Sequence, residues 1–244
     1  MKILVVGELC QDVFIYGKCD RLCPEGPVPI FKPTSKKTNP GMAGNVVANL
    51  SALGHDCEFL HNKNKIVKTR YIEERSNQLL MRVDQCDKVK DSIEHLSSYK
   101  DYDVIIISDY CKGFITSTDI KHIASQNKNV MVDSKKILKP EWVKDVRFVK
   151  INEKEYSATK NTLKLVKDYQ KKLIVTYGKE GCAYYGKRYP VHKKIDTIDI
   201  SGAGDTFMAA FAVKFIETND IIKSIHYAQK CTSIVVQIKG VATI

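Results

Sequence analysis

The chain has 244 residues, 43% of them hydrophobic, enough to bury a sizeable core in one large α/β domain or two small ones, with one domain the simpler expectation. The first apolar run stops at Gly7, too short for a membrane span and lacking a signal-peptide cleavage pattern, so a cytoplasmic protein without a membrane partner is expected. Eight scattered cysteines argue for reduced thiols, and the formal charge of +11 is carried by lysines interleaved with apolar residues, without a nucleic-acid motif, so nucleic acid is not an expected partner.

Residues 3–6 form an apolar, β-branched run that predicts a strand buried on both faces. Residues 13–38 mix aromatics and β-branched residues with Pro24, Gly26, Pro27, Pro29 and Pro33, which excludes a helix. They predict extended strands with turns, a small flap or lid whose prolines confine it to edges and bends. A helix is predicted over 43–53, and the β-rich residues 68–84 can pair with the flap. Strands at 104–107, 130–133, 148–151 and 173–176 then alternate with helices at 117–125, 153–159 and 163–169. That alternation predicts a doubly wound α/β sheet.

Residues 198–212 read IDISGAGDTFMAAFA, a polar turn running into an apolar helix. Gly202 and Gly204 let several backbone N–H groups converge, and the helix start adds its positive dipole end. No Gly-Lys-Ser/Thr follows, so this is not the Walker A loop. Asp205 sits beside the anion cradle, where a carboxylate can take the proton of an alcohol attacking a γ-phosphoryl group. The competing reading is a helix cap with Gly202-Ala203-Gly204 present for close packing.

Gly202-Ala203-Gly204-Asp205-Thr206 resembles the signature of the ribokinase, or phosphofructokinase-B, superfamily. The resemblance implies a ribokinase-like three-layer α/β/α sandwich with a small β lid, ATP and Mg2+ as cofactors, and Asp205 as the catalytic base facing the Gly202, Ala203 and Gly204 amides. Other segments are similar to that family in the same order. Gly7 and Asp12 resemble its first-strand motif, in which the aspartate binds sugar hydroxyls. Gly41, Gly44 and Asn45 resemble its glycine-rich substrate motif. Asn152 and Glu155 resemble the Asn-x-x-Glu motif that organises magnesium and phosphate, Glu155 reaching the metal indirectly. Thr176, Gly178 and Gly181 resemble the strand and turn that line the ATP site.

Several strings resemble the kinase module of heptose 7-phosphate kinases: DRL at 20–22 before PEGPVP, NQLLMRVD at 77–84, SDYCKG at 108–113 and DSK at 133–135. That resemblance implies transfer to the anomeric hydroxyl of a heptose 7-phosphate, giving the 1,7-bisphosphate. A sugar phosphate needs cationic donors, and Arg82, Lys112 and Lys135 are the candidates, each with a plain surface charge as the alternative. Asp109 either caps a turn at the end of a buried strand or serves the sugar at the carboxyl edge of the sheet. Tyr110 and Arg21 can equally be packing residues.

The chain departs from the family at Glu8, where an aspartate is usual, and at Gly41-Met42, where a glycine pair assists lid closure. Between residues 54 and 68 the family has a longer insert, normally with a helix and a strand, of which only residues 55–67 remain here. A nucleotidyltransferase domain is not expected within it. A homodimer through the lid is expected, with Phe14, Tyr16 and Phe31 as its apolar surface. The rival readings are a kinase of another sugar and a non-catalytic sugar or nucleotide sensor.

Overall fold

The computed structural model describes residues 1–191, 196–238 and 240–244. In chain order it contains β1 (Ile3–Gly7), β2 (Leu9–Lys18), β3 (Leu22–Cys23), β4 (Gly26–Pro29), β5 (Lys32–Met42), α1 (Ala43–Ala52), β6 (Cys57–His61), β7 (Ile66–Glu73) and β8 (Leu79–Gln85). There follow β9 (Val104–Asp109), α2 (Ser117–Gln126), β10 (Val130–Ser134), α3 (Pro140–Val143), β11 (Phe148–Asn152) and α4 (Glu153–Leu163). The rest is β12 (Leu173–Thr176), β13 (Cys182–Tyr184), β14 (Lys187–Tyr189), α5 (Ala203–Thr218) and α6 (Ile221–Val235).

The main sheet runs β14-β13-β12-β11-β10-β9-β1-β6, parallel except at β13 and β14. Its central strands are unbroken apolar runs because helices cover both faces. Period-two alternation sends Leu4, Val6, Ile105, Ile107 and Val132 toward Ile120 of α2 and Trp142 of α3. Ile3, Val5, Ile106, Met131 and Phe148 face Leu50 of α1, Phe211 and Phe215 of α5 and Ile225 of α6. This is the three-layer α/β/α sandwich anticipated from the sequence. Phe148 meets Phe211 and Phe215 edge-on, with centroids 5.3 and 4.8 Å apart. Each such buried ring contributes about 1.5–3 kcal/mol, so α5 is anchored along its length and its N-terminus is held at the carboxyl edge of the sheet.

The second sheet has the order β5-β2-β7-β8, with β2 antiparallel to β5 and parallel to β7, and β7 antiparallel to β8. It springs from that same edge, since β2 follows β1 after Glu8 alone and β5 runs directly into α1. Pro33 and Pro40 lie in β5, an edge strand, where a missing N–H breaks no central ladder.

Two features differ from expectation, and a third completes it. Residues 163–169 are not a helix: Val166 N–H bonds to Leu163 O in a tight turn and Asp168 takes φ 55°, which ends helical propagation. Of the shortened insert, a strand survives as β6 at the sheet edge. Phe14 is buried within the protomer, 5.0 Å from the Arg70 guanidinium, so it offers no surface to a second copy.

Candidate active site

Gly202 begins α5 at φ 81°, and a Cβ there would lie 2.4 Å from Asn45 Nδ2. Only glycine permits both the left-handed backbone and this approach to α1. The amide of Ala203 donates to Ile200 O at 3.2 Å. The predicted cradle is therefore shifted by one: Ala203 drops out, and the amides of Gly202, Gly204 and Asp205 have no partner among the described residues. Unpaired amides at a helix start attract anions.

Asp205 does not cap its helix. Its Oδ1 accepts from the Tyr110 hydroxyl at 2.7 Å and its Oδ2 from Asn45 Nδ2 at 3.0 Å. The residue is 4% exposed. Burial pushes its pKa up to about 6; the hydrogen bonds from Tyr110 and Asn45 oppose that rise, Asp133 adds to it and Lys150 works against it. A carboxylate held near neutrality is suited to accept and release a proton. Asn49 braces the pocket from behind: it donates to Asn45 O at 2.8 Å and accepts from Thr206 Oγ1 at 3.0 Å.

Lys150 is the buried cation of the site. It lies midway along β11, ion-paired with Asp133, and its Nζ stands 3.4 Å from Gly204 O. Burial disfavours its charge, but Asp133, aided by Asp205 and Glu155, more than compensates, so its pKa is raised. The signal was present in the sequence, because a lysine inside the FVKIN strand interrupts a fully buried run and requires a buried partner.

Two further residues carry the loop beneath the lid. Glu8 is fully buried and accepts from three amides, Tyr110 N at 2.7 Å, Lys112 N at 3.0 Å and Phe114 N at 3.3 Å. Burial, with Asp109 nearby, raises its pKa, and the amide bonds counter that rise. Glu8 thus ties the SDYCKG loop to the end of β1 and delivers the Tyr110 hydroxyl to Asp205. Lys135, exposed, sits over the Tyr110 ring at 4.2 Å from its centroid.

On the lid side, Asp12 is 6% exposed and accepts from Arg70 Nη1 at 2.5 Å. A Cβ at Gly41 would fall 2.0 Å from Asp12 Oδ2, so the strand pair closes only around glycine. Cys10 lies between the lid and Asp205: burial and Asp12 push its thiol up to about 12, with a smaller contribution from Asp205. Gly44 packs on Leu9 in the first turn of α1. Met42, between them, has φ 56° and ψ −132°, a conformation suited to glycine that costs a side-chain-bearing residue about 1–3 kcal/mol. Its side chain is buried with Cys10 and Ile66, against Tyr110.

Two of the three anticipated phosphate cations are engaged with carboxylates, Lys135 being the exception. Arg82 forms a forked pair with Asp84 (2.6 and 2.8 Å), Lys112 bonds Asp87 at 2.5 Å, and Lys68 bridges the two carboxylates at 3.9 and 3.3 Å. Lys68 and Arg70 were not singled out from the sequence, though their alternation on β7 points them to one face. Asp109 is 1% exposed and accepts from Cys111 N at 2.9 Å, Ser134 Oγ at 2.7 Å and Lys136 Nζ at 2.5 Å. These are the bonds the turn-capping reading requires, made in the structure without a sugar.

At the other end of the edge, Asn152 and Glu155 form the capping box of α4, Glu155 N to Asn152 Oδ1 at 2.9 Å and Asn152 N to Glu155 Oε2 at 2.8 Å. With Thr176 and Gly178, Asn152 lines an open pocket of ≈ 510 Å³. Gly181 closes the turn after it at φ 91°. Among the described residues no three His, Cys, Asp or Glu side chains gather to hold a metal. The capping box uses only one oxygen of Glu155, which fits a magnesium ion held chiefly by nucleotide phosphates and water, with one carboxylate at its outer shell.

No helix among the described residues is long and apolar enough to cross a membrane. Residues 61–244 match the model of the pfkB family carbohydrate kinases. The chain is 30% identical over 299 aligned positions to the bifunctional protein HldE of Campylobacter curvus and 31% identical over 299 to that of Sulfurimonas denitrificans. It is covered completely in both cases and spans 63% and 62% of those relatives' lengths. An alignment longer than the chain itself means that residues are missing here relative to both. In structure it is similar to Arabidopsis thaliana ribokinase complexed with ribose and ATP, at TM-score 0.71 and 17% identity over 98% of this chain and 93% of that one. The glycine turn, the buried aspartate at its end and these matches agree: the chain belongs to the pfkB family of carbohydrate kinases, ATP-dependent phosphotransferases.

Proposed function

We propose that this kinase phosphorylates the anomeric hydroxyl of a heptose 7-phosphate, with Asp205 as general base. The observation that carries the proposal is a carboxylate of pKa about 6, buried at the head of a helix whose free amides can receive a phosphoryl group. ATP lies along Thr176, Gly178, Gly181 and the Asn152/Glu155 cap, its γ-phosphate toward Gly202, Gly204 and Lys150. The sugar enters beneath the lid, past Asp12, Gly41, Gly44 and Asn45, its 7-phosphate drawn to Lys112, Arg82 and Lys135, with the Lys68/Arg70 face adjoining. Its hydroxyl attacks phosphorus in line; the new O–P bond forms as the bond to the ADP oxygen breaks, and the proton passes to Asp205. Magnesium, when bound, neutralises charge on the transferring phosphates.

The heptose assignment rests on the strings at 20–29, 77–84, 108–113 and 133–135 and is supported by similarity to the bifunctional HldE proteins. The enzyme works in the cytoplasm as a dimer joined through lid strands, with the half-buried Tyr16 and Phe31, rather than the buried Phe14, available for the contact. One observation favours a slow or non-catalytic relative: the Met42 backbone, which stiffens the lid hinge. Transfer from labelled ATP to a panel of sugar phosphates tests both. Strong preference for heptose 7-phosphate supports the proposal; equal or better use of another sugar overturns the substrate, and no ATP consumption with any sugar favours the non-catalytic reading.

A further inference from the structure

Little of Asp205 is open to a substrate. Each carboxylate oxygen already accepts one bond, from Tyr110 and from Asn45, and the residue is only 4% exposed, so a sugar hydroxyl or a water reaches the remaining lone pairs only past one of these partners. Asn45 is the fixed one. It is 1% exposed within α1, its amide also reaches Gly202 O at 3.4 Å, and Asn49 bonds its carbonyl. Tyr110 is held by less: its hydroxyl is buried against Asp205, but the residue as a whole is partly exposed and lies in a loop after β9 rather than in a helix. Its main chain is clamped by Glu8, so the ring can swing while the loop stays in place.

The phenol is also an oxygen donor at 2.7 Å from the base, the distance and chemistry required of the alcohol that must later be deprotonated. We infer that Tyr110 is a guard on the catalytic base: its hydroxyl occupies the acceptor's place on Asp205 in the sugar-free kinase and is displaced by the sugar, which keeps water from being activated against bound ATP. The inference rests on Asp205 being the base. Lys135 lies over the ring, 4.2 Å from its centroid, and Met42 and Cys10 pack against it, so the sugar must move the ring against these two contacts. In an unguarded site, the water oxygen would bond to the γ-phosphorus, the bond to the ADP oxygen would break, and the water proton would pass to Asp205 and on to solvent, giving ADP and phosphate.

The test is sugar-independent ATP hydrolysis, with MgATP and water as the only reactants. A hydrogen bond to a charged group is worth roughly ten- to a hundredfold in an equilibrium. Tyr110→Phe keeps the ring and its packing and loses the hydroxyl, and it should raise the idle hydrolysis rate about tenfold or more. Tyr110→Leu should do the same if it melts within a few degrees of the parent, which separates loss of the guard from loss of fold. Adding Asp205→Asn to Tyr110→Phe should return hydrolysis to the parental rate or below. If Tyr110→Phe hydrolyses ATP no faster than the parent, the guard is refuted. If the double variant keeps the faster hydrolysis, the base assignment fails, and the guard with it.

Discussion

Replacing Lys150 by methionine removes the buried cation and keeps most of its apolar stem. Its side chain is 7% exposed and that of its partner Asp133 15%, so the change leaves a carboxylate in the interior without its counter-charge. Breaking a buried pair in this way costs about 3–5 kcal/mol, a large part of a typical domain stability of about 5–15 kcal/mol. The same change acts on Asp205. Of the ionisable groups facing it, Tyr110 and Lys150 hold its pKa down while Asp133 raises it, so loss of Lys150 pushes it further above about 6. Urea unfolding is followed through Trp142, the single tryptophan, fully buried in α3. Lys150→Met is expected to unfold at much lower urea, and the acid limb of kcat/KM to move to higher pH. In Lys150→Met/Asp133→Leu, with both charges gone, stability should return to within about 1 kcal/mol of the parent. A stability loss below about 1 kcal/mol together with an unmoved acid limb would refute the coupling of β11 to the base.

The pH dependence of folding has a definite sign at Asp205. Its carboxyl titrates near 6 in the folded chain against an ordinary 3.8, so the folded form holds its proton longer and stability from this group declines as pH rises through about 6. The rise corresponds to at most about 3 kcal/mol, so Asp205→Asn should be more stable than the parent at pH 8 and no more stable at pH 4, measured by urea unfolding; an equal gain at both would contradict the burial of a charge. Gly41→Ala forces Asp12 away from Arg70, and should raise the sugar KM several-fold while the KM for ATP stays put; a parallel rise in both would mean the lid root has collapsed instead. Asp87→Asn releases Lys112 and Lys68 from a shared carboxylate, and should lower the KM for a phosphorylated sugar at low salt, an effect that fades as ionic strength rises; no change would remove these lysines from the phosphate site.

What the sequence disclosed and what it concealed have physical causes. β1, β9, β10, β11 and β12 were legible because strands buried on both faces are continuous apolar runs, whereas β6 and β14 are edge strands that carry charge or polarity and β13 has only three residues. The false helix at 163–169 has Leu163 and Val166 buried and Leu165 exposed, a spacing that a tight turn satisfies as well as a helix does. Asp205 was legible because the glycines that place it are adjacent in sequence. Its partners were not: Asn45, Tyr110 and Lys150 reach it from α1, the loop after β9 and β11, so only the sheet order brings them together. Tyr110 in particular carries no local mark of its role, since the contact that matters spans 95 residues. Asp109 shows the reverse, a carboxylate at the right edge whose bonds to its own turn were not legible in the sequence.

Phosphoryl transfer by purified Asp205→Asn in a single turnover, with ATP bound to saturation and heptose 7-phosphate added, tests the base directly. General-base assistance is worth about 10²- to 10⁴-fold. The variant should bind ATP as the parent does and transfer its phosphoryl group at least about a hundredfold more slowly, while transfer at the parental rate would show that the proton leaves by another route and that Asp205 is not the base.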